Sequence, residues 1–305
     1  MQFDLATYNG RIDLLASINS AKSYVEIGVA TGATFFPVKI PFKIAVDPRF
    51  QFDVKDHADA NRDGENTQFF QMTSDKFFSM LRAGDHELGK MLPFDIIFID
   101  GLHTFEQSLR DFENSLDYAH DNTLWLMDDT VPCDAYSALP DMEMASFKRK
   151  RAGLRVGPWH GDVYKTIFAI HDKHPEISYC TLVSGNPQTI LWRSKGNSRQ
   201  PVFGSMREID KIDYFGMLQH GKLLMPVEDG QLAGIVGKAV NPMSDAHPSS
   251  WRTLITHPYL RDYPARVLLR ERLMLFFRFR GVERYLRKIR KKYIKSSGPK
   301  QLKSH

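Results

Sequence analysis

Short apolar runs stopped by turn residues alternate with helical periodicity along the first two thirds of the chain. SYVEI (23–27) stops at Gly28, KIAVD (43–47) stops at Pro48, and NTQFFQM (66–72) leads into a helical stretch from Ser74 to about Arg82. FDIIFID (94–100) sets four consecutive apolar residues between aspartates, and TLWLMDD (123–129) reads as a fifth strand. Phe105, Leu109, Phe112 and Leu116 recur at spacings of four, three and four, one face of an amphipathic helix within 104–119. Another helix is expected from about Val163, with Asp162 placed to cap its first amides. ISYCTLV (177–183) and QTILWR (188–193), separated by SGNP, predict a closing hairpin. Strands apolar on both faces and alternating with helices predict a doubly wound, mostly parallel, Rossmann-like α/β sheet. Ligands of such sheets bind beyond the carboxyl ends of the strands, so the residues just after each strand carry the chemistry.

The pattern breaks at GNSRQP (196–201). Three segments follow: an α/β domain over 1–195, an irregular extension over 196–260, and a basic helical tail over 261–305. In that tail Leu275, Phe279, Val282, Leu286, Ile289 and Tyr293 make an apolar stripe at helical spacing. Residues 261–303 carry fifteen Lys/Arg against three acids, net +12, and the whole chain is +5, so the rest is −7. Packing on the body or on a second subunit is the ordinary use of such a stripe. Contact with an anionic membrane surface is the alternative, and an acidic body with no recognisable binding motif disfavours nucleic acid. KRKR (148–151) reads as a solvated charge run within a lid over 133–157.

Composition narrows the class. The 305 residues are 42% hydrophobic and 25% charged, which excludes a fibrous or mostly disordered chain. Two cysteines cannot build a disulfide framework, no spacing suggests zinc, and no apolar run reaches the ~18 residues of a membrane span. A cytoplasmic protein is expected, with peripheral contact at the inner membrane surface as a role for the tail.

The first strand runs into Glu26-Ile27-Gly28-Val29-Ala30-Thr31-Gly32. This spacing is GxxxG, not the GxGxxG that cradles a pyrophosphate, and it favours an adenosine ligand over a dinucleotide. Asp47 ends the second strand, where a carboxylate can accept hydrogen bonds from both hydroxyls of a ribose. Read singly, the glycines are turn residues and Asp47 a helix cap.

YVEIGVATG, IAVDPRF and FQMTSDKFF together resemble the motifs of the class I S-adenosylmethionine-dependent methyltransferases over about 23–195, with Ala30 where glycine is more usual. The resemblance implies that Glu26 lies near the methionine amino group, that Asp47 holds the ribose and that Ser74 and Asp75 lie beside the adenine. It also implies a donor crevice at Gly28 and Gly32 and an antiparallel seventh strand. A nicotinamide-dependent oxidoreductase, or a non-catalytic methyltransferase-fold binding module attached through its tail, are the alternatives.

Asp100-Gly101-Leu102-His103 follows the fourth strand and Asp128-Asp129-Thr130 ends the fifth, which gathers three carboxylates and an imidazole at neighbouring strand ends. Crowded carboxylates hold either a proton or a cation, and oxygen-only ligands suit Mg²⁺, Ca²⁺ or Mn²⁺ rather than zinc, with Mg²⁺ expected. The arrangement is similar to that of metal-dependent O-methyltransferases of the catechol and macrolide-sugar types. That likeness implies Asp100, Asp128 and Asp129 as metal ligands, Asp100 also beside the donor, and His103 as general base. The bland reading makes Asp100 a helix cap, Asp128 and Asp129 solvated acids, and His103 a packed loop residue. Trp159, His160 and Asp162 either line an acceptor pocket or serve as core anchor and cap. The expected acceptor is a small hydroxylated molecule, a sugar or a lipid-linked glycan.

Overall fold

The computed structural model describes residues 3–56, 66–84, 88, 91–194 and 199–240. The tail and its whole apolar stripe therefore lie outside the described residues. Helix α1 (Tyr8–Asn19) precedes strands β1 (Ser23–Ile27), β2 (Phe42–Val46) and β3 (Asn66–Phe70). Then come α2 (Ser74–Ala83), β4 (Phe94–Ile99), α3 (Phe105–Ser115), β5 (Ala119–Met127), α4 (Met142–Arg151) and α5 (Tyr164–Lys173). The chain continues through β6 (Ile177–Leu182), β7 (Gln188–Arg193), α6 (Met206–Asp210), α7 (Tyr214–Gln219), β8 (Pro226–Val227) and α8 (Asp229–Val240).

The strands form one sheet in the order β3-β2-β1-β4-β5-β7-β6-β8. Only β7 runs against its neighbours, pairing antiparallel with both β5 and β6. The sheet has eight strands among the described residues, not seven. The added one is two residues long, pairs parallel with β6, and comes from the segment whose pattern gave no period.

Alternation along the strands explains the two covered faces. Tyr24, Ile96, Phe98, Leu124, Leu126 and Ile190 point to one side, where they pack with Ile12 and Leu15 of α1 and Leu232 and Val236 of α8. On the other side Trp125 meets Phe112 of α3 edge-on at 5.7 Å, and its indole N–H donates to Ser115 Oγ at 2.8 Å. Residues 229–240, read as irregular, thus complete a helical layer. Each covered face removes the apolar side chains of these strands from water, at roughly 25 cal/mol per Å².

Candidate active site

The carboxyl ends of β1, β2, β4 and β5 open into a cleft of about 650 Å³. Its first wall is the turn after β1. Gly28 sits at φ +90, and a Cβ there would lie 2.0 Å from the Asp100 carbonyl, so only glycine lets the β1 and β4 ends approach this closely. Two residues on, Ala30 takes φ +46, a left-handed conformation that costs an L-residue about 1–2 kcal/mol. Its amide donates to Asp47 Oδ2 at 2.8 Å, and Arg49 N–H donates to Oδ1 at 2.7 Å. Each Asp47 oxygen is thereby fixed by one amide and keeps acceptor capacity toward the cleft.

Glu26 lines the floor and is 1% exposed. Burial pushes its carboxyl up to about 8, against the opposing effects of the Tyr24 hydroxyl, which donates to Oε2 at 2.5 Å, and of Lys43. Ser74 and Thr73 also line the cleft, whereas Asp75 does not. The Asp75 carboxylate turns outward to Arg110 Nε at 3.0 Å, because the first turn of α2 points it at the exposed face of α3.

The opposite wall is acidic. Ligand atoms of Asp100, His103 and Asp129 all lie within 4.8 Å of one another. Two ionised carboxylates at that separation repel by about 3 kcal/mol at an effective dielectric of 20, so a shared proton or a cation must offset them. Asp100 responds accordingly: burial first, then the charges of Asp128, Asp129 and Glu26, raise its carboxyl well above the usual range.

Asp128 does not join this trio. It lines the cleft, and its Oδ1 is buried without a hydrogen-bond partner. Burial and the Asp129 charge lift it to about 6. Asp129, the next residue, takes a left-handed φ of +59, and its carboxylate is the one of the pair that joins the trio.

Asp129 Oδ2 lies 2.7 Å from His103 Nδ1, and the Trp159 carbonyl lies 3.0 Å from the same nitrogen. Both neighbours are acceptors, so hydrogen-bond logic assigns the proton to Nδ1 and leaves the Nε2 lone pair free. Nε2 stands 3.7 Å from Asp100 Oδ1. Burial works against an imidazolium here, but the Asp129 hydrogen bond and charge outweigh it and raise His103 above its ordinary value.

The stretch after Pro158 supports this histidine. The Trp159 ring stacks on His103 at 4.9 Å and 12°, and its indole N–H donates to the Leu139 carbonyl at 2.7 Å. Gly161 sits at φ +63 with no room for a Cβ, which would fall 1.6 Å from the His103 carbonyl oxygen. His160 is buried, its Nε2 3.8 Å from Asp129 Oδ1 and its Nδ1 unpartnered. Burial holds it below an ordinary imidazole. None of Trp159, His160 and Asp162 is among the residues lining the cleft.

Asp162 departs from its expected local role. α5 starts without a side-chain cap, and Asp162 Oδ1 instead accepts from Phe105 N–H at 2.8 Å, capping α3 across 57 residues of sequence. The reason is visible next door: Thr104, in the cap position of α3, makes no capping bond, and the turn at Gly161 aims Asp162 there. Asp162 Oδ2 pairs with Lys165 Nζ at 3.0 Å.

Several lining residues escaped the sequence reading. Gln107 donates to Ser74 Oγ at 3.2 Å and to Asp111 Oδ1 at 2.9 Å, and burial lifts Asp111 to about 6. Both residues stand on the polar flank of α3, four apart, a spacing that puts them on one face. Tyr8 and Asn186, hydrogen-bonded to each other, close the far end.

Residues 25–130 match the family described as methyltransferase domain. No protein of curated function matches the chain significantly. Among solved structures, the Bacillus cereus O-methyltransferase in complex with SAH is 15% identical over 63% of this chain and 83% of its own, with a TM-score of 0.40. The Streptomyces achromogenes O-methyltransferase TomG, involved in tomaymycin synthesis and in complex with SAM, is 12% identical over 60% and 78%, TM-score 0.40. The SAH-bound Podospora anserina methyltransferase PaMTH1 is 13% identical over 61% and 78%, TM-score 0.41.

Proposed function

We propose that this chain, which matches a methyltransferase domain over residues 25–130, is a class I methyltransferase that moves the methyl group of S-adenosylmethionine to a hydroxyl of a sugar-like or other polyhydroxylated acceptor. The observation that carries the reading is one cleft with two differently equipped walls. On one, Asp47 is held by two amides with acceptor capacity to spare for a diol, beside the buried carboxyl of Glu26. On the other stands an imidazole whose free nitrogen faces Asp100.

The chemistry uses these parts in order. Methyl transfer forms an oxygen–carbon bond as the carbon–sulfur bond breaks, in line, and a neutral hydroxyl is a poor nucleophile. His103 Nε2 takes the hydroxyl proton, while Asp129 on Nδ1 holds the ring and stabilises the imidazolium that forms. Trp159 fixes the ring plane by stacking. Asp100 and Asp129 fit a divalent cation by charge and by donor type, Mg²⁺ where oxygens alone hold it, and their mutual repulsion is what such an ion offsets. When bound, that cation would supply Lewis-acid stabilisation of the acceptor alkoxide. Asp128, expected as a third ligand, lines the same cleft outside the Asp100, His103 and Asp129 group.

A cytoplasmic site of action and a sugar or lipid-linked glycan as acceptor belong to the same proposal, with the basic tail packing on the body or on a second subunit, or in the alternative contacting a membrane. No helix among the described residues is long and apolar enough to cross a membrane. The decisive experiment is calorimetric titration with S-adenosylhomocysteine beside NAD. Binding of the first and not the second, with Asp47→Ala weakening it at least about tenfold through loss of charge-assisted hydrogen bonds, is the expected result. Stabilisation by NAD alone refutes the reading.

A further inference from the structure

We propose that the outward face of α4 and the loop that follows it dock onto an anionic lipid surface. Seven large apolar residues are exposed among the described ones, and five of them, Met142, Met144, Phe147, Leu154 and Val156, fall within fifteen positions. Single exposed apolar residues are ordinary, but a cluster of this kind marks an interaction surface.

The helix is built to leave this face open. Its buried positions are Ala145 and Arg149, and Arg149 is tied down by Asp134. Met144, Phe147 and Arg151, at spacings of three and four, therefore form a stripe on the opposite side. Phe147 is 54% exposed, and Val156 in the loop is 94% exposed, nearly a free side chain. Lys148 and Lys150 flank the stripe, Arg155 stands between Leu154 and Val156, and the Arg151 guanidinium lies 5.3 Å over the Phe147 ring. The helix's acids, Asp141 and Glu143, stand beside Met142 and Met144 in its first turn, Asp141 engaged in capping Met144 N–H.

Apolar side chains flanked by long cationic ones are what the boundary of a charged bilayer accepts: the apolar groups enter the acyl edge while the cations stay among phosphates. Charge decides between occupants. A second copy of this face, or the chain's own segment 261–303 at net +12, would bring cations onto cations. Location gives the surface a use. α4 is linked through Arg149 to Asp134 after β5, and its loop runs directly into the Pro158–Asp162 stretch that supports His103. Docking here would act next to the stretch that supports His103.

The test is co-sedimentation of the full chain with vesicles of phosphatidylglycerol and phosphatidylcholine, beside vesicles of phosphatidylcholine alone. The parent is expected to partition into the anionic vesicles, and both Phe147→Ser/Val156→Ser and Lys150→Glu/Arg151→Glu to partition at least about tenfold less. The melting temperature should be unchanged, since all four side chains are exposed. Segment 261–303 is the same in all three proteins, so any difference belongs to α4 and its loop. Parent-like partitioning of the Phe147→Ser/Val156→Ser variant overturns the proposal, as does equal binding of the parent to the uncharged vesicles. A parent that ignores vesicles but forms a defined complex with an acidic polypeptide assigns the face to a protein partner and overturns it too.

Discussion

Replacing Asp162 separates a structural carboxylate from an acceptor-binding one. Asp162 accepts from Phe105 N–H at the start of α3 and pairs with Lys165, and both side chains are less than a tenth exposed. Loss of a helix cap costs about 1 kcal/mol, and removal of one member of a buried ion pair costs about 3–5 kcal/mol because the partner charge is stranded. Lys165 keeps part of its support, donating to the Asp210 carbonyl at 2.6 Å, so the lower end of that range applies. Asp162→Ala should therefore lose about 4 kcal/mol, a fall in melting temperature of about 8–16 °C for a domain of this size. Asp162→Asn with Lys165→Met retains an acceptor for Phe105 and removes the stranded ammonium. That double variant should be more stable than the sum of its single variants predicts. Urea unfolding of the four proteins measures the coupling. An Asp162→Ala protein within 1 °C of the parent melting temperature, but with a raised KM for the acceptor, would show that the carboxylate serves the pocket and refute the assignment.

Three further outcomes follow from the site. A base must be unprotonated, so the rate should rise as pH climbs through the raised value of His103, half-maximal above the ordinary imidazole value of about 6.5. Asp129→Asn should move that limb to lower pH and cut kcat about 10²-fold or more, and an unmoved limb counts against His103 as the base. Glu26, with its carboxyl near 8, holds its proton at pH 7 in the free protein. A cationic amino group arriving beside it should release that proton, seen as buffer-dependent heat in calorimetric titration with S-adenosylmethionine and absent in Glu26→Gln; heat independent of the buffer in the parent removes Glu26 from that role. Ala30→Gly relieves a left-handed alanine worth about 1–2 kcal/mol but adds about 0.5–1 kcal/mol of chain entropy. The variant should melt about 1–4 °C higher, and a lower melting temperature contradicts the strain.

What could be read from the sequence is what local rules control. Apolar runs mark the strands because a sheet covered on both faces has no polar side to interrupt them. Gly28, Asp47, Asp100 and Asp129 then fall at strand ends, and the structure brings all four to one cleft. Long-range rules are where the reading failed. Asp162 stands two residues before α5 and looks like its cap, yet the turn at Gly161 sends it to a helix 57 residues away. Asp128 and Asp129 are chemically identical neighbours, and no local rule says which one faces His103; it is Asp129. Gln107 and Asp111 carry no motif; their polarity on α3 reads as a solvated face until α2 is packed beside it. α8 was missed because its surroundings are rich in glycine, and its apolar side becomes meaningful only against α1 and the sheet.

The two walls of the cleft are joined through backbone rather than through side chains. Ile27 accepts from Asp100 N–H at 2.8 Å, and Ile99 accepts from Asp128 N–H at 3.1 Å, so the sheet ladder runs to the edge of the site. Just beyond that edge, two non-glycine residues, Ala30 and Asp129, adopt left-handed torsions. Each is held there by a bond that the cleft itself uses: the Ala30 amide by Asp47, and the Asp129 carboxylate by His103. Strain of this kind persists only where the surroundings over-determine the backbone. The close contact at Gly28 and the parallel ladder provide that rigidity, and they fix the donor turn and the acid–imidazole cluster relative to each other. A displacement methylation that must hold oxygen, carbon and sulfur in line depends on such a fixed separation more than on any single side chain.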